Sequence, residues 1–138
     1  MTEDELAALL RARLPAADLH GLVVEDAADQ DVRLWFPFAT GFAGPAGIFS
    51  GPVLLGMADT AMYAAAQARL GAARVAVVST MTTTFLRAAQ LEDVVAIARV
   101  VRAGRTLMHV EAWLFNHMPV DAILHATATC EIRDWTAD

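Results

Sequence analysis

The stretch SGPVLLGMADTAMYAAA, Ser50 to Ala66, decides the fold. Its first residues carry the signals of a helix N-terminus: Ser50 can cap, and Pro52 falls in the first turn, where a missing N–H costs little. Gly71 supplies the stop. Between these ends apolar residues occupy every side, and Asp59 stands in their midst as a lone carboxylate. A helix without a polar face has to be covered on most sides. Asp59 lies too deep in the helix to be a cap. Its neighbours at helical spacing, Leu55, Gly56, Met62 and Tyr63, carry no charge. An unpaired carboxylate there is costly to ionise, so its pKa is expected to rise, which suits a general base. The other reading is a satisfied buried acid, bonded to Thr60 or to a partner chain.

The 138 residues suit one compact domain, and a composition of 57% hydrophobic and 19% charged residues supplies ample core. The formal net charge of −6 argues against a general nucleic-acid role. All ten cations are Arg, for which the sequence offers no physical reason. Cys130 is the single cysteine, so no disulfide forms within the chain and a reducing cytoplasm is the expected compartment. The start, MTEDELAALLRARLP, has no apolar signal-peptide core. The apolar helix contains Asp59, Gln67 and Arg69, which makes it a poor membrane span. No membrane association is expected.

Working outward, Thr2 and Glu5 resemble a capping box, and Leu6, Leu9, Leu10 and Leu14 recur at helical spacing up to Pro15. Leu19 to Glu25 reads as a strand. A turn near Asp29-Gln30 leads to a second strand, with Val32, Leu34 and Phe36 alternating. Pro37 to Phe49 reads as a loop. After the long helix come four strands: 74–86, 94–102, 106–116 and 122–132, with a hairpin turn at Ala103-Gly104-Arg105 and a turn over 116–121. This order fits an α+β architecture in which a curved antiparallel sheet wraps a central helix. In the later strands both faces carry apolar residues. Val95, Ile97 and Val101 share one face, with Ala96, Ala98 and Val100 on the other. Leu107, Trp113 and Phe115 likewise lie opposite Met108, Val110, Ala112 and Leu114. A homo-oligomer that covers the outer face is expected.

Several segments together resemble the PaaI-like acyl-CoA thioesterases of the hotdog fold. GPVLLGMADTAMYAAA resembles that family's helix signature, His-Gly-Gly followed by Ala-Asp-Thr-Ala. MTTTFLRAA resembles its Phe-Leu-Arg-Pro-Ala strand, LEDVVAIARVVRAGRTLMHVEAWLFN its hairpin with an Arg-x-Gly-Arg turn, and ILHATATCEI its last strand. The resemblance runs from about Gly47 to Ile132. It implies a single domain that hydrolyses acyl-CoA to free acid and coenzyme A without a further cofactor, as a homodimer or homotetramer. By position Asp59 inherits the role of general base or nucleophile, and Gly51 that of oxyanion donor at the helix N-terminus. The chain departs from the family at Ser50, where His is usual, and at Pro52, where the second Gly is usual. Binding of acyl-CoA without turnover is the alternative that these departures raise.

Substrate contacts are expected from Ser50 and from Thr80 or Thr82, with Arg102 and Arg105 as candidates for the phosphates of coenzyme A. Ser50, the threonines and the arginines have plain structural readings too: a helix cap, good strand residues and solvated turn charges. His20, His109, His117 and His125 show no zinc spacing, and no metal site is assigned. No Gly-x-Ser-x-Gly elbow is present. Ala64 occupies the position five after Asp59, where hotdog hydratases carry His. Trp35, Phe38, Phe42 and Phe49 are candidates for an acyl pocket or for core.

Overall fold

A computed structural model of the chain describes residues 1–14, 21–27, 31–116 and 120–136. The expected strand start at Leu19-His20, the turn at Asp29-Gln30 and His117 lie outside the described residues. The elements are α1 (Glu3–Arg13), β1 (Val23–Ala27), β2 (Asp31–Phe36), α2 (Gly51–Leu70), β3 (Arg74–Phe85), β4 (Val94–Ala103), β5 (Leu107–Phe115) and β6 (Leu124–Asp134). Two short 3-10 turns, Thr40–Phe42 and Pro45–Gly47, occupy the loop before α2. The capping box of α1 forms: Glu5 N donates to Thr2 Oγ1 at 3.1 Å, and Thr2 N donates to Glu5 Oε1 at 3.2 Å.

The six strands form one antiparallel sheet in the order β1-β2-β4-β5-β6-β3, curved around α2 in the hotdog arrangement. Alanine makes the close seat possible. Ala58, Ala61, Ala64, Ala65 and Ala66 of α2 are buried against a concave face that includes Ala96, Ala98, Ala112, Ala126 and Ala128. Small side chains on both surfaces let the helix axis approach the sheet, and Leu34, Phe36, Met57, Met62 and Leu114 fill the remaining volume. Core and outer faces fall as the alternation in β4 and β5 requires: Met108, Val110, Ala112 and Leu114 are buried inward, with Leu107, Trp113 and Phe115 on the other side.

Two β-bulges change which residues face the helix. In β3 the pairing passes from Val78↔Cys130 to Thr80↔Thr129, leaving Ser79 as the extra residue. Ala76 and Val78 face inward before it; Met81, Thr83 and Phe85 face inward after it. One inserted residue moves every later side chain to the opposite face. Thr80 and Thr82 therefore lie on the outer, convex face beside Thr129 and Thr127. The second bulge, between Val100 and Arg102 of β4, turns Arg102 to the outer face beside His109 in the same way.

Gln67 fixes the depth of α2 in its seat. It is fully buried, and its Nε2 donates to Gly71 O at 3.1 Å and Arg74 O at 2.9 Å, while its Oε1 accepts from Ala76 N at 2.9 Å. One amide thus satisfies three backbone groups where the helix hands over to β3, around Gly71 at φ +78°. Replacing Gln67 by Leu strips partners from all three. The expected loss is about 3 kcal/mol of stability, read as a lower urea midpoint at unchanged slope; a change within about 0.5 kcal/mol would show that the clamp does not bear on stability.

Candidate functional site

The N-terminus of α2 is built to leave one donor open. Ser50 caps the helix: Val53 N donates to its Oγ at 3.4 Å, and Leu54 N to its carbonyl at 3.1 Å. Pro52 has no N–H to give. Gly51 N, the first of the helix, is the remaining first-turn donor, and among the described residues it has no acceptor. Ser50 is thus occupied as a cap. A Cβ placed on Gly51 would meet Phe85 Cζ at 3.9 Å, so the start of α2 lies against the end of β3.

Asp59 lies on the part of α2 that the sheet leaves uncovered. Pro52, Leu55 and Asp59 form an exposed strip, with Gly56 and Tyr63 half-buried beside it. The Asp59 carboxylate reaches solvent in the single chain, against the expectation of a buried acid, because the sheet curls around the other side of the helix. Among the described residues it makes no hydrogen bond or ion pair. Its apolar surroundings nevertheless remove enough water to push its pKa up. Cys130, buried and inward-facing on β6, has its own pKa raised by burial first and by the nearby Asp59 charge second. Asp59 therefore stands over the β6–β3 side of the concave face.

β3 is an edge strand of the sheet. Of its inward side chains, Val78 and Phe85 are exposed and Met81 and Thr83 half-buried. The Thr83 hydroxyl oxygen is shielded from solvent and, among the described residues, has no hydrogen-bond partner. Sequence reading chose Thr80 and Thr82 from this run; the bulge at Ser79 makes Thr83 the hydroxyl that faces α2. At the Gly51 end of α2 lies an open cavity of about 510 Å³ lined by Ile48, Phe49, Gly51, Leu54, Phe85, Leu86, Arg87, Ala88 and Ala89. Arg87 belongs to the quoted stretch MTTTFLRAA but was not singled out; a cation directly after a strand's last apolar pair was the available signal.

The other expected contacts lie elsewhere. Thr80 and Thr82 line a separate outer-face cavity of about 300 Å³ with His109, Glu111, Thr127 and Thr129. Arg102 sits on that face, and Arg105 is exposed in the β4–β5 turn. That turn adjoins Ile132, whose strand partner Ala76 is held by Gln67, so it lies at the far end of α2 from Gly51. Within one chain the structure does not bring Thr80, Thr82, Arg102 or Arg105 to Asp59 and Gly51. On the outer face Glu111 bonds Arg99 at 2.9 Å and His125 at 3.2 Å, and His109 bonds Thr129 at 3.2 Å. Trp35 also faces outward, donating to Asp93 Oδ2 at 2.9 Å. Phe38, Phe42 and Phe49 form a ring cluster with centroids 5.9–6.1 Å apart, of which Phe49 alone reaches the cavity at α2. Among the described residues no group of three or more His, Cys, Asp or Glu is placed to hold a metal ion, and no helix is long and apolar enough to cross a membrane.

Comparison with known proteins agrees with the fold. The profile of the thioesterase superfamily matches residues 46–121, more than half of the chain, and the chain belongs to that superfamily. A protein of Silicibacter sp. TM1040 put forward as a thioesterase superposes with a TM-score of 0.85 at 26% identity, covering 96% of this chain and 92% of its own. A thioesterase of Haemophilus influenzae gives 0.84 at 17% identity over 97% and 92%, and one of Pseudomonas aeruginosa, in a mutant form, 0.83 at 19% over 98% and 96%. At those last two identities the likeness is one of fold. A search of curated proteins returns no match.

The raised pKa of Asp59 has a sign that can be checked. The folded chain holds the Asp59 proton more tightly than the unfolded chain does, so this group costs stability as pH rises past its unfolded value of about 3.9. Asp59→Asn should then melt at or above the wild-type temperature at pH 8, with the difference shrinking towards zero near pH 3. A variant less stable than wild type at pH 8 would mean that the carboxylate is a satisfied structural group.

Proposed function

We propose that the protein is an acyl-CoA thioesterase that works as a homodimer, with Gly51 of one protomer and Asp59 of the other at each site. The observation that carries this reading is the pair itself: one open backbone donor and one unpartnered carboxylate on the uncovered strip of α2, in a chain of the thioesterase superfamily. Eight residues separate them on one helix, a rise of roughly 12 Å. A thioester carbonyl cannot lie within hydrogen-bond reach of both in the same chain. Two antiparallel copies of α2 related by a two-fold axis would bring the Gly51 of each towards the Asp59 of the other.

The edge of the sheet supports such a pairing. β3 is 12 residues long and carries no charge from Val75 to Phe85, with Val77, Val78 and Phe85 exposed. A long, uncharged, apolar edge is a template for another strand. Joining β3 to β3 would continue the sheet and cover Leu55 and Asp59 from the far side. Further association into a tetramer through the outer face, with Trp113, Ile97 and Val101, would cover the second apolar surface. The proposed setting is the cytoplasm, on the single reduced cysteine.

Hydrolysis needs water as its only co-reactant. The Gly51 N–H would hold the thioester oxygen as negative charge develops on it. Asp59, ionised, would take a proton from a water that attacks the carbonyl carbon. The C–S bond then breaks, and the proton on Asp59 passes to the departing thiolate. Direct attack by Asp59 through a mixed anhydride, opened by water, gives the same products. A pKa raised by the loss of water around Asp59 suits the first route, since the same group must accept and return a proton. A second reading, binding of acyl-CoA without turnover, is favoured by the loss of an N–H at Pro52 and by the use of Ser50 as a cap.

Two substitutions test the pair. Asp59→Asn should lower kcat by about 10²–10⁴-fold and abolish the acidic limb of the pH–rate profile. Gly51→Pro, which fits the first helical position but removes the donor, should lower kcat by about 10²–10³-fold with the helix content unchanged by circular dichroism. Wild-type rates in both variants would remove these residues from the mechanism. Acyl-CoA binding without turnover by the wild type would establish the second reading.

A further inference from the structure

The edge of β3 restricts how a second copy of the chain can sit. Resting on the shared-site reading above, we infer that the two-fold axis crosses β3 at Thr83, so that Thr83 of one protomer stands opposite Thr83 of the other and their hydroxyls bond each other. Helix geometry, the backbone of the edge and one orphaned hydroxyl agree on that position.

If Gly51 of one copy meets Asp59 of the other, the axis crosses α2 halfway between them, at Leu55, an exposed residue of the uncovered strip. α2 and β3 run side by side in opposite senses: Gly51 lies against Phe85, and Gln67 bonds Ala76 N. Leu55 is a quarter of the way from Gly51 to Gln67. A quarter of the way from Phe85 back to Ala76 falls at Thr83. The backbone of the edge permits this centre. Leu86 N donates to Ile123 O at 2.9 Å, one step beyond the pair Phe85↔Leu124. Successive residues of a strand turn their N–H and C=O to alternate sides. Thr84 and Thr82 therefore bond β6, while Phe85, Thr83 and Met81 present theirs at the open edge. With the axis at Thr83, edge-facing residues meet edge-facing residues: Thr83 meets its own copy, and Phe85 meets Met81 of the second copy. An axis placed between two residues would set these groups against groups already spent on β6.

Thr83 supplies the chemical reason for the match. Its side chain faces α2, and its hydroxyl oxygen is shielded from solvent without a hydrogen-bond partner among the described residues. A shielded hydroxyl left unpaired is costly and uncommon in native proteins. Each threonine hydroxyl both donates and accepts. Residues directly opposite on one face of an antiparallel pair have Cβ atoms about 5 Å apart, close enough for two threonine hydroxyls to bond. The strand carries no charge from Val75 to Phe85, so no like charges oppose the pairing.

Cysteine cross-linking on the convex face reads the register. With the axis at Thr83, Thr82 of one protomer stands opposite Thr84 of the other, in a pair whose Cα atoms lie about 4.5 Å apart, within disulfide reach. Two copies of Thr82, or two of Thr84, are then diagonal neighbours about 7–8 Å apart, beyond that reach. Both threonines are exposed in the single chain, and Cys130 is buried and stays out of the reaction. Thr82→Cys and Thr84→Cys are made as single variants, refolded alone or together in equal amounts, and oxidised, with circular dichroism as the check on folding. About half of the chains in the mixture should run as a covalent dimer under non-reducing conditions, and at least about tenfold less in either variant alone. Cross-linking of Thr82→Cys alone would move the axis to Thr82, and that of Thr84→Cys alone to Thr84; either would overturn the inference and leave the thioesterase reading in place. No cross-link in any arm would overturn it too. Sedimentation then separates the causes: a dimer keeps the shared site with a different interface, and a monomer contradicts the shared site as well.

Discussion

Helix α2 offers water no polar face, and most of the molecule follows from that constraint. Twenty residues of largely apolar helix must be covered. A six-stranded sheet curled around them does so on all but one strip. The seat works because alanines on the helix meet alanines on β4, β5 and β6 at close range. Gln67 then fixes the helix lengthwise by bonding the backbone of the α2–β3 connection at three points. What the sheet does not reach is the line Pro52, Leu55, Asp59, and this line lies beside the bare edge of β3. Incomplete cover of one helix thus goes together with the free strand edge and with an acid that has no partner among the described residues.

The chemistry at the two ends of that line is complementary and separated. Ser50 and Pro52 consume or remove the other donors of the first turn, which leaves the Gly51 N–H open among the described residues. Asp59, two turns further on, has apolar surroundings and no partner among the described residues, and the loss of water holds its proton more tightly than water would. Neither group completes a site alone, and the helix rise keeps them apart in one chain. The proposed division of a site between two copies follows from helix geometry.

Much of this was legible in the residues. Ser50, Pro52 and Gly71 mark both ends of α2, and the alternation in β4 and β5 gives their inner faces correctly. The capping box at Thr2 and Glu5 forms as read. Three things were hidden for physical reasons. The bulges at Ser79 and Val101 leave no mark in a pattern where Val, Thr and Ala suit either face, so Thr80, Thr82 and Arg102 turn outward and Thr83 inward. That β3 is an edge depends on sheet order, which local periodicity does not encode. Asp59 is open to solvent in one chain because of where the sheet stops, not because of its neighbours in sequence. Gln67, by contrast, could have been found: a lone amide inside an apolar helix, four residues before a helix-ending Gly, has the backbone carbonyls of the turn within its reach.

The most direct measurement is complementation between two inactive variants. Gly51→Pro and Asp59→Asn are unfolded, mixed in equal amounts and refolded, and hydrolysis is compared with each variant refolded alone. If each site joins Gly51 of one protomer to Asp59 of its partner, half of the dimers are mixed and one of their two sites is intact, so about a quarter of wild-type activity returns. If the site lies within a single chain, every chain in the mixture carries one defect, and no activity returns.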